Sequence, residues 1–290
     1  MSTGILLVGH GSRSPAGRDE LLALGRRVSA AADGGLVETG FLELSAPPAG
    51  DALDELVDRG ARRISVVPLM LNSAGHAKSD VPAVVLEGRQ RHPRIELAYA
   101  RPLGIDQVTV TIAHQRIVAA GGRGLPLLVV ARGTSEPEAN ADAARVARLL
   151  GESVQAPFVV TGFSGLTWPL VPDALEQCRL LGAGRLVMFA WYLCTGILVD
   201  RMKSEAGLWA GSTGVEVIDA GHLGPDPGLV PLVLERAREA LAGDVRMSCD
   251  LCSYRAPFPG LEGRVGQPVG VGHSHLAVEH RGVSGGHAHH

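Results

Sequence analysis

The chain repeats itself. Leu125-Pro-Leu-Leu-Val-Val-Ala-Arg-Gly-Thr-Ser-Glu-Pro137 resembles the opening stretch Gly4-Ile-Leu-Leu-Val-Gly-His-Gly-Ser-Arg-Ser-Pro15. At one fixed displacement of 122 positions Leu6 meets Leu128, Val8 meets Val130, Gly11 meets Gly133 and Pro15 meets Pro137. Thr39-Gly-Phe41 meets Thr161-Gly-Phe163, Pro47 meets Pro169, and Gly60-Ala61 meets Gly182-Ala183 at the same offset. Identities that hold one spacing over so long a stretch mark an internal duplication, so the fold must be one that half the chain can build twice. The expected division is a first lobe over 1–121, a second over 122–242, and a tail over 243–290.

Within each half, short apolar runs alternate with amphipathic stretches. Strands are expected at Ile5–Val8, Leu36–Leu44, Ile64–Leu71 and Ile95–Ala100. Helices are expected at Ala16–Ala32, Asp51–Arg59, Val81–Arg91 and Asp106–Ala120, with Leu21, Leu24 and Val28 on one helical face. The second half restarts after the linker Gly121-Gly-Arg-Gly124, with strands near Leu127, Val159, Leu186 and Val215. Strand and helix in alternation predict βαβ units: two α/β lobes, each a parallel sheet of about four strands wrapped by helices. Right-handed crossovers then gather every strand-to-helix loop at one end of each sheet, where such folds keep their ligands.

Composition narrows the function classes. A formal net charge of −3 gives no electrostatic case for nucleic acid. No run of apolar residues is long enough for a membrane span, and the opening strand is not a signal peptide. Four cysteines in 290 residues are too few for a disulfide framework, which predicts a cytoplasmic protein. There is no G-x-x-x-x-G-K-[ST] loop for ATP and no G-x-G-x-x-G after a strand for NAD.

Three metal-capable residues of the first half fall at or just after strand ends: His10, Glu43 and His76. Two imidazoles and a carboxylate with positions left open suit Fe, Co, Ni or Zn. The second half is a control for that reading. At the 122-residue offset the three positions are Arg132, Gly165 and Leu198, so the copy keeps the glycines and prolines of the framework and lacks all three ligands. Residues needed for folding would be needed twice; residues lost together from one copy make a site. Arg132 puts a permanent cation where His10 stood, able to grip a carboxylate. The glycines beside His10 are read as room for a bulky ligand to approach the backbone.

Leu7-Val-Gly-His-Gly-Ser-Arg13, Gly40-Phe-Leu-Glu-Leu-Ser45 and Val67-Pro-Leu-Met-Leu-Asn-Ser-Ala-Gly-His76, followed by Asp80-Val-Pro82, resemble the class II tetrapyrrole chelatases. Among them the likeness is to the sirohydrochlorin chelatases called CbiX or SirB, over both lobes. The tail, Met247-Ser-Cys-Asp-Leu-Cys252 with six histidines from His273 to His290, is similar to the long cobalt-inserting form. The resemblance implies insertion of Co²⁺ into sirohydrochlorin without ATP, releasing two protons. Iron insertion, or a carrier that binds metal or tetrapyrrole without turnover, stands as the alternative; nickel is left open too.

The resemblance also implies roles. His10 and His76 are the catalytic histidines, and His10, Glu43 and His76 hold the metal. Ser12, Arg13, Ser45, Leu71, Asn72, Ser73, Ala74, Gly75 and Arg132 face the substrate, with Lys78 and Arg101 as further cations for its carboxylates. Cys249 and Cys252 are linked with a [4Fe–4S] cluster, which two cysteines cannot close alone. The molecule would be a two-lobed monomer, or a homodimer if such a cluster bridges two chains. By composition the tail is otherwise expected to be flexible.

Overall fold

A computed structural model describes residues 2–245, 254 and 262–267. Eight strands and eight α-helices alternate along it. The first four strands are β1 (Thr3–Gly9), β2 (Leu36–Phe41), β3 (Arg63–Pro68) and β4 (Glu96–Tyr99). They form one parallel sheet in the order β2-β1-β3-β4. The second four, β5 (Leu127–Ala131), β6 (Val159–Phe163), β7 (Arg185–Ala190) and β8 (Glu216–His222), form another in the order β6-β5-β7-β8. Both orders turn back on themselves beside the first strand, which opens a crevice at the carboxyl ends.

Strand periodicity sorts each sheet's side chains into two cores. Leu6, Val8, Ile64 and Val66 point outward under α2 (Ala49–Asp58) and α3 (Val81–Arg91). Leu128, Val130, Leu186 and Met188 do the same under α6 (Val171–Leu180) and α7 (Ile197–Thr213). The alternate residues Leu7, Val67, Leu127, Val129 and Val187 belong to one inner core shared by both lobes. Into it pack α1 (Pro15–Ala31) and α5 (Pro137–Val154), the latter through Ala139, Ala143, Val146, Leu150 and Val154, the spacing of one helical face.

The last helix of each half crosses to the other half. α4 (Gln107–Ala119) packs on β7, β8 and α5, and α8 (Leu229–Ala242) packs on β3, β4 and α1. Chain order puts α4 within 1–121, yet its apolar face belongs to the second sheet. The crossing therefore occurs before α4, and the glycines at 121–124 are a packed turn in which Gly122 is buried. An ionic knot ties the exchanged helices. Arg236 of α8 has no exposed side-chain surface and donates to Asp106 at 2.7 Å. Asp106 is the N-cap of α4, accepting from Val108 N at 3.0 Å. Glu239 of α8 accepts from Arg236 at 3.3 Å and from Arg101 at 2.9 Å.

The duplication reaches into the loops. The peptide bonds Ala46–Pro47 and Trp168–Pro169 are both cis, and Leu44 and Leu166 both have φ of +61°. Phe41 N bonds to Pro47 O and Phe163 N to Pro169 O, each at 2.9 Å. The second strand of each lobe stops at phenylalanine because the chain turns away there, so the expected strand end at Leu44 is three residues too long. Among the described residues no helix is long and apolar enough to cross a membrane.

Candidate metal centre

His10, Glu43 and His76 converge. Each follows the carboxyl end of a strand: His10 directly after β1, Glu43 two residues after β2, and His76 at the end of the loop that follows β3. The ladder between β1 and β2 runs on as Leu42 N to Gly9 O and Glu43 N to His10 O, both 3.0 Å, so Glu43 is set beside His10 by backbone alone. His10 Nδ1 lies 3.3 Å from Glu43 Oε1. The imidazole rings of His10 and His76 are 4.2 Å apart at centroids, tilted by 40°. One ligand atom from each of the three fits within 4.8 Å of the others. The His10, Glu43 and His76 side chains keep 25%, 37% and 22% of their surface.

Gly11 explains itself without a ligand. Its φ is +100°, and a Cβ there would stand 1.7 Å from the Glu43 carbonyl oxygen. Gly133 repeats this at φ +78°, where a Cβ would stand 2.1 Å from the Gly165 carbonyl oxygen. The glycine therefore lets the two strand-end loops touch, and the expectation that it makes room for substrate is corrected.

Electrostatics bear on the state of His10. Burial, then the charges of His76 and Arg132, push His10 down from 6.5 to about 4, against the pull of Glu43 and a backbone contact. Its imidazole is neutral at pH 7, with a lone pair to offer. His76 begins a π-helical turn, His76–Asp80, that runs into α3. Asp80, four residues on, accepts the Nδ1 proton of His76. That leaves Nε2 as the lone-pair nitrogen, the usual carboxylate support of a ligating histidine. Asp80 belongs to the quoted motif but was given no role from sequence, although its i, i+4 spacing from His76 was the available signal.

A cavity of about 270 Å³ opens over this cluster between the lobes. His10, Leu71, Asn72, Ala74, Gly75 and His76 line it from the first lobe and Arg132 from the second, as expected. Ser12, Arg13, Ser45 and Ser73 do not line it. Ser12 and Ser45 are spent on each other: Ser12 N donates to Ser45 Oγ at 3.0 Å, and Ser45 Oγ donates to Ser12 O at 3.1 Å. Thr134 and Thr167 make the same pair of bonds in the second lobe, at 3.2 and 3.0 Å. A clamp present in the lobe without ligands is framework.

Two of the proposed cations are likewise occupied. Lys78 bonds to Glu136 at 2.9 Å and is paired with Glu138, and Arg101 is forked onto Glu239 at 2.9 Å. Arg13 is exposed and away from the cavity. Among the described residues Arg132 is the one of the four that reaches the cavity without a carboxylate at ion-pair distance. Trp191, Tyr192 and Leu193 complete the second lobe's wall. They are the counterparts of Leu69, Met70 and Leu71, so the 122-residue offset applied to the first lobe's loop would have found them. Cys249 and Cys252 lie outside the described residues, as do the six tail histidines.

The CbiX family model matches residues 4–120 and again residues 126–240. The chain belongs to the CbiX family. A sirohydrochlorin cobaltochelatase of Priestia megaterium is 36% identical over 259 residues, covering 87% of this chain and 84% of the relative. A sirohydrochlorin ferrochelatase of the same organism is 29% identical over 241 residues, 82% of this chain and 90% of the relative. The crystal structure of the sirohydrochlorin chelatase SirB from Bacillus subtilis subspecies spizizenii in complex with cobalt superposes with a TM-score of 0.73 at 26% identity, over 84% of this chain and 97% of that one. SirB from Bacillus subtilis with Fe³⁺ gives the same TM-score at 28% identity. Twice-matched family model and twice-built sheet describe the same duplication, and this CbiX chain keeps its candidate ligands in one copy.

Proposed function

We propose that this CbiX protein is a sirohydrochlorin cobaltochelatase, a metal chelatase whose substrates are a divalent ion and a metal-free tetrapyrrole. The observation that carries the reading is the His10–Glu43–His76 cluster, which reaches the cleft through His10 and His76 in one lobe and is absent from its copy. The 36% identity to a cobaltochelatase favours cobalt over iron. Residues 1–121 supply the ligands, and residues 122–242 supply the facing wall and Arg132.

Two imidazole nitrogens and one carboxylate oxygen hold a first-row ion while leaving positions for incoming ring nitrogens. With burial holding its pKa near 4, His10 acts as a ligand. Insertion breaks two pyrrole N–H bonds and forms metal–nitrogen bonds, so two protons must leave. As the ion passes to the ring nitrogens, the lone pair of His76 Nε2, with the Asp80 carboxylate behind the ring to balance charge, and the more exposed Glu43 are freed to accept the two protons and pass them to water. Arg132 orients a substrate carboxylate across the cleft. The metal–nitrogen bonds drive the exchange without ATP.

The test is purified protein with sirohydrochlorin and Co²⁺, no ATP, followed by visible absorbance. Turnover above the spontaneous rate supports the chelatase; tight binding with no added rate would make it a carrier. A faster reaction with Fe²⁺ than Co²⁺ at matched free ion would make iron the metal. For the tail we propose a [4Fe–4S] cluster on Cys249 and Cys252 shared between two chains in the cytoplasm. Anaerobically purified protein should then be brown, iron-loaded and dimeric, and Cys249→Ala colourless.

A further inference from the structure

The chain returns to the cleft after α8. Tyr254 lines the cavity along with His76 and Arg132. Its hydroxyl donates to Glu136 Oε1 at 3.3 Å, and Glu136 is only 3% exposed, held from its other oxygen by Lys78 at 2.9 Å. Two cations stand over the ring, Lys78 Nζ and Arg264 Cζ, each 5.8 Å from its centroid. Arg264 also donates to Ser135 O at 3.1 Å, and Gly266 N donates to the Tyr254 carbonyl at 3.1 Å. The expectation of a flexible tail is therefore corrected for residues 254 and 262–267, which are bonded to the loop at 134–136 and to each other. This wall lies outside the duplicated lobes, because the family match ends at residue 240.

We infer that Tyr254 is a substrate-binding residue, its ring forming the surface against which the flat face of the tetrapyrrole rests. The inference rests on the sirohydrochlorin reading above. An aromatic face stacks on a flat conjugated ring. A phenol whose orientation is already fixed by Glu136, Lys78 and Arg264 loses little freedom when it does so. Lys78 beside it adds no demand for a new carboxylate partner, since it is already neutralised by Glu136 and Glu138. Such a contact holds substrate and transition state alike, so it bears on KM and leaves kcat in place.

Full-length Tyr254→Ala and Tyr254→Phe are compared with the parent protein in steady-state chelation and in binding of metal-free sirohydrochlorin. Tyr254→Ala should raise KM and the dissociation constant about tenfold, with kcat and the affinity for Co²⁺ alone within about twofold. Tyr254→Phe, which keeps the ring and loses the Glu136 bond, should restore most of the lost affinity. Unchanged KM and binding in Tyr254→Ala would overturn the inference while leaving the chelatase standing. So would equal losses in Ala and Phe, which would assign the effect to the bond with Glu136, or a fall in kcat and thermal midpoint at constant KM, which would make the residue structural. A parent protein that neither binds nor metallates sirohydrochlorin would remove the chelatase reading and this one with it.

Discussion

The two lobes share a backbone and differ in chemistry. Their strand orders match, both loops after the second strand carry a cis proline and a leucine at φ +61°, and both are clamped by a pair of hydroxyl residues. Against this constant frame stand the three substitutions His10 to Arg132, Glu43 to Gly165 and His76 to Leu198. One backbone difference accompanies them. The first lobe enters α3 through the π-helical turn His76–Asp80, whereas its counterpart in the second lobe is ordinary α-helix within α7. Isolated π-turns are found mostly at functional sites, and this one brings Asp80 behind His76. What the lobes share is folding; what the first lobe alone has is the His10–Glu43–His76 cluster.

That division can be broken by substitution. The largest effect is expected from His10→Ala, which should lower chelation to the spontaneous rate with the far-ultraviolet spectrum unchanged. Retained turnover would end the assignment of the site to the first lobe. Arg236→Ala should come next, acting on both lobes together. Removing a fully buried guanidinium strands Asp106 and Glu239 between the exchanged helices. A loss of about 3 kcal/mol in denaturant unfolding is expected, at the lower end for a broken buried pair since both carboxylates keep some exposure. If the variant unfolds like the parent, the helix exchange does not couple the lobes.

Asp80→Asn should cost about 10- to 100-fold in metal affinity or activity, the usual effect of losing the carboxylate behind a ligating histidine. Met202→Asp, the equivalent position in the second lobe, should add no metal binding, which isothermal titration with Co²⁺ would check. A smaller, pH-dependent effect follows from His10 in the metal-free protein. Its pKa falls from 6.5 to about 4 on folding, so below pH 6.5 the unfolded chain binds a proton that the native protein refuses. Stability is fully present above pH 6.5 and is lost as pH falls toward 4, with a slope of at most about 1.4 kcal/mol per pH unit from this group. His10→Gln should flatten that part of the unfolding curve; an unaltered curve would show that His10 titrates normally. The smallest effect is expected from Ser45→Ala and its counterpart Thr167→Ala. Each should cost about 1 kcal/mol of stability and leave KM for tetrapyrrole unchanged, as loop clamps and not substrate contacts.

Much of this was legible in the chain. The alternation of apolar and amphipathic stretches located all eight strands, because strand and helix periods differ. The convergence of His10, Glu43 and His76 was legible because the duplicate provided an internal control. Ser12 and Ser45 were misplaced for the opposite reason: their second-lobe equivalents are threonines, so the repeat of their clamp is visible as hydrogen bonds and not as identical letters. Lys78 and Arg101 carry charge in the sequence, but the acidic partners that occupy them are distant in the chain, Glu136 and Glu239. Tyr254 had no periodic or motif signal at all.

The sequence by itself determined two α/β lobes and which of them bears a site, since both follow from local periodicity and from comparing one half with the other. Only the tertiary structure decided that α4 and α8 trade lobes, that Arg132 and not Lys78 faces the cavity, that His10 is held neutral, and that Tyr254 closes one side. Each of these depends on which residues far apart in the chain share a small, water-poor volume. There desolvation and pairing change what a residue does, and neither is written in its neighbours along the chain.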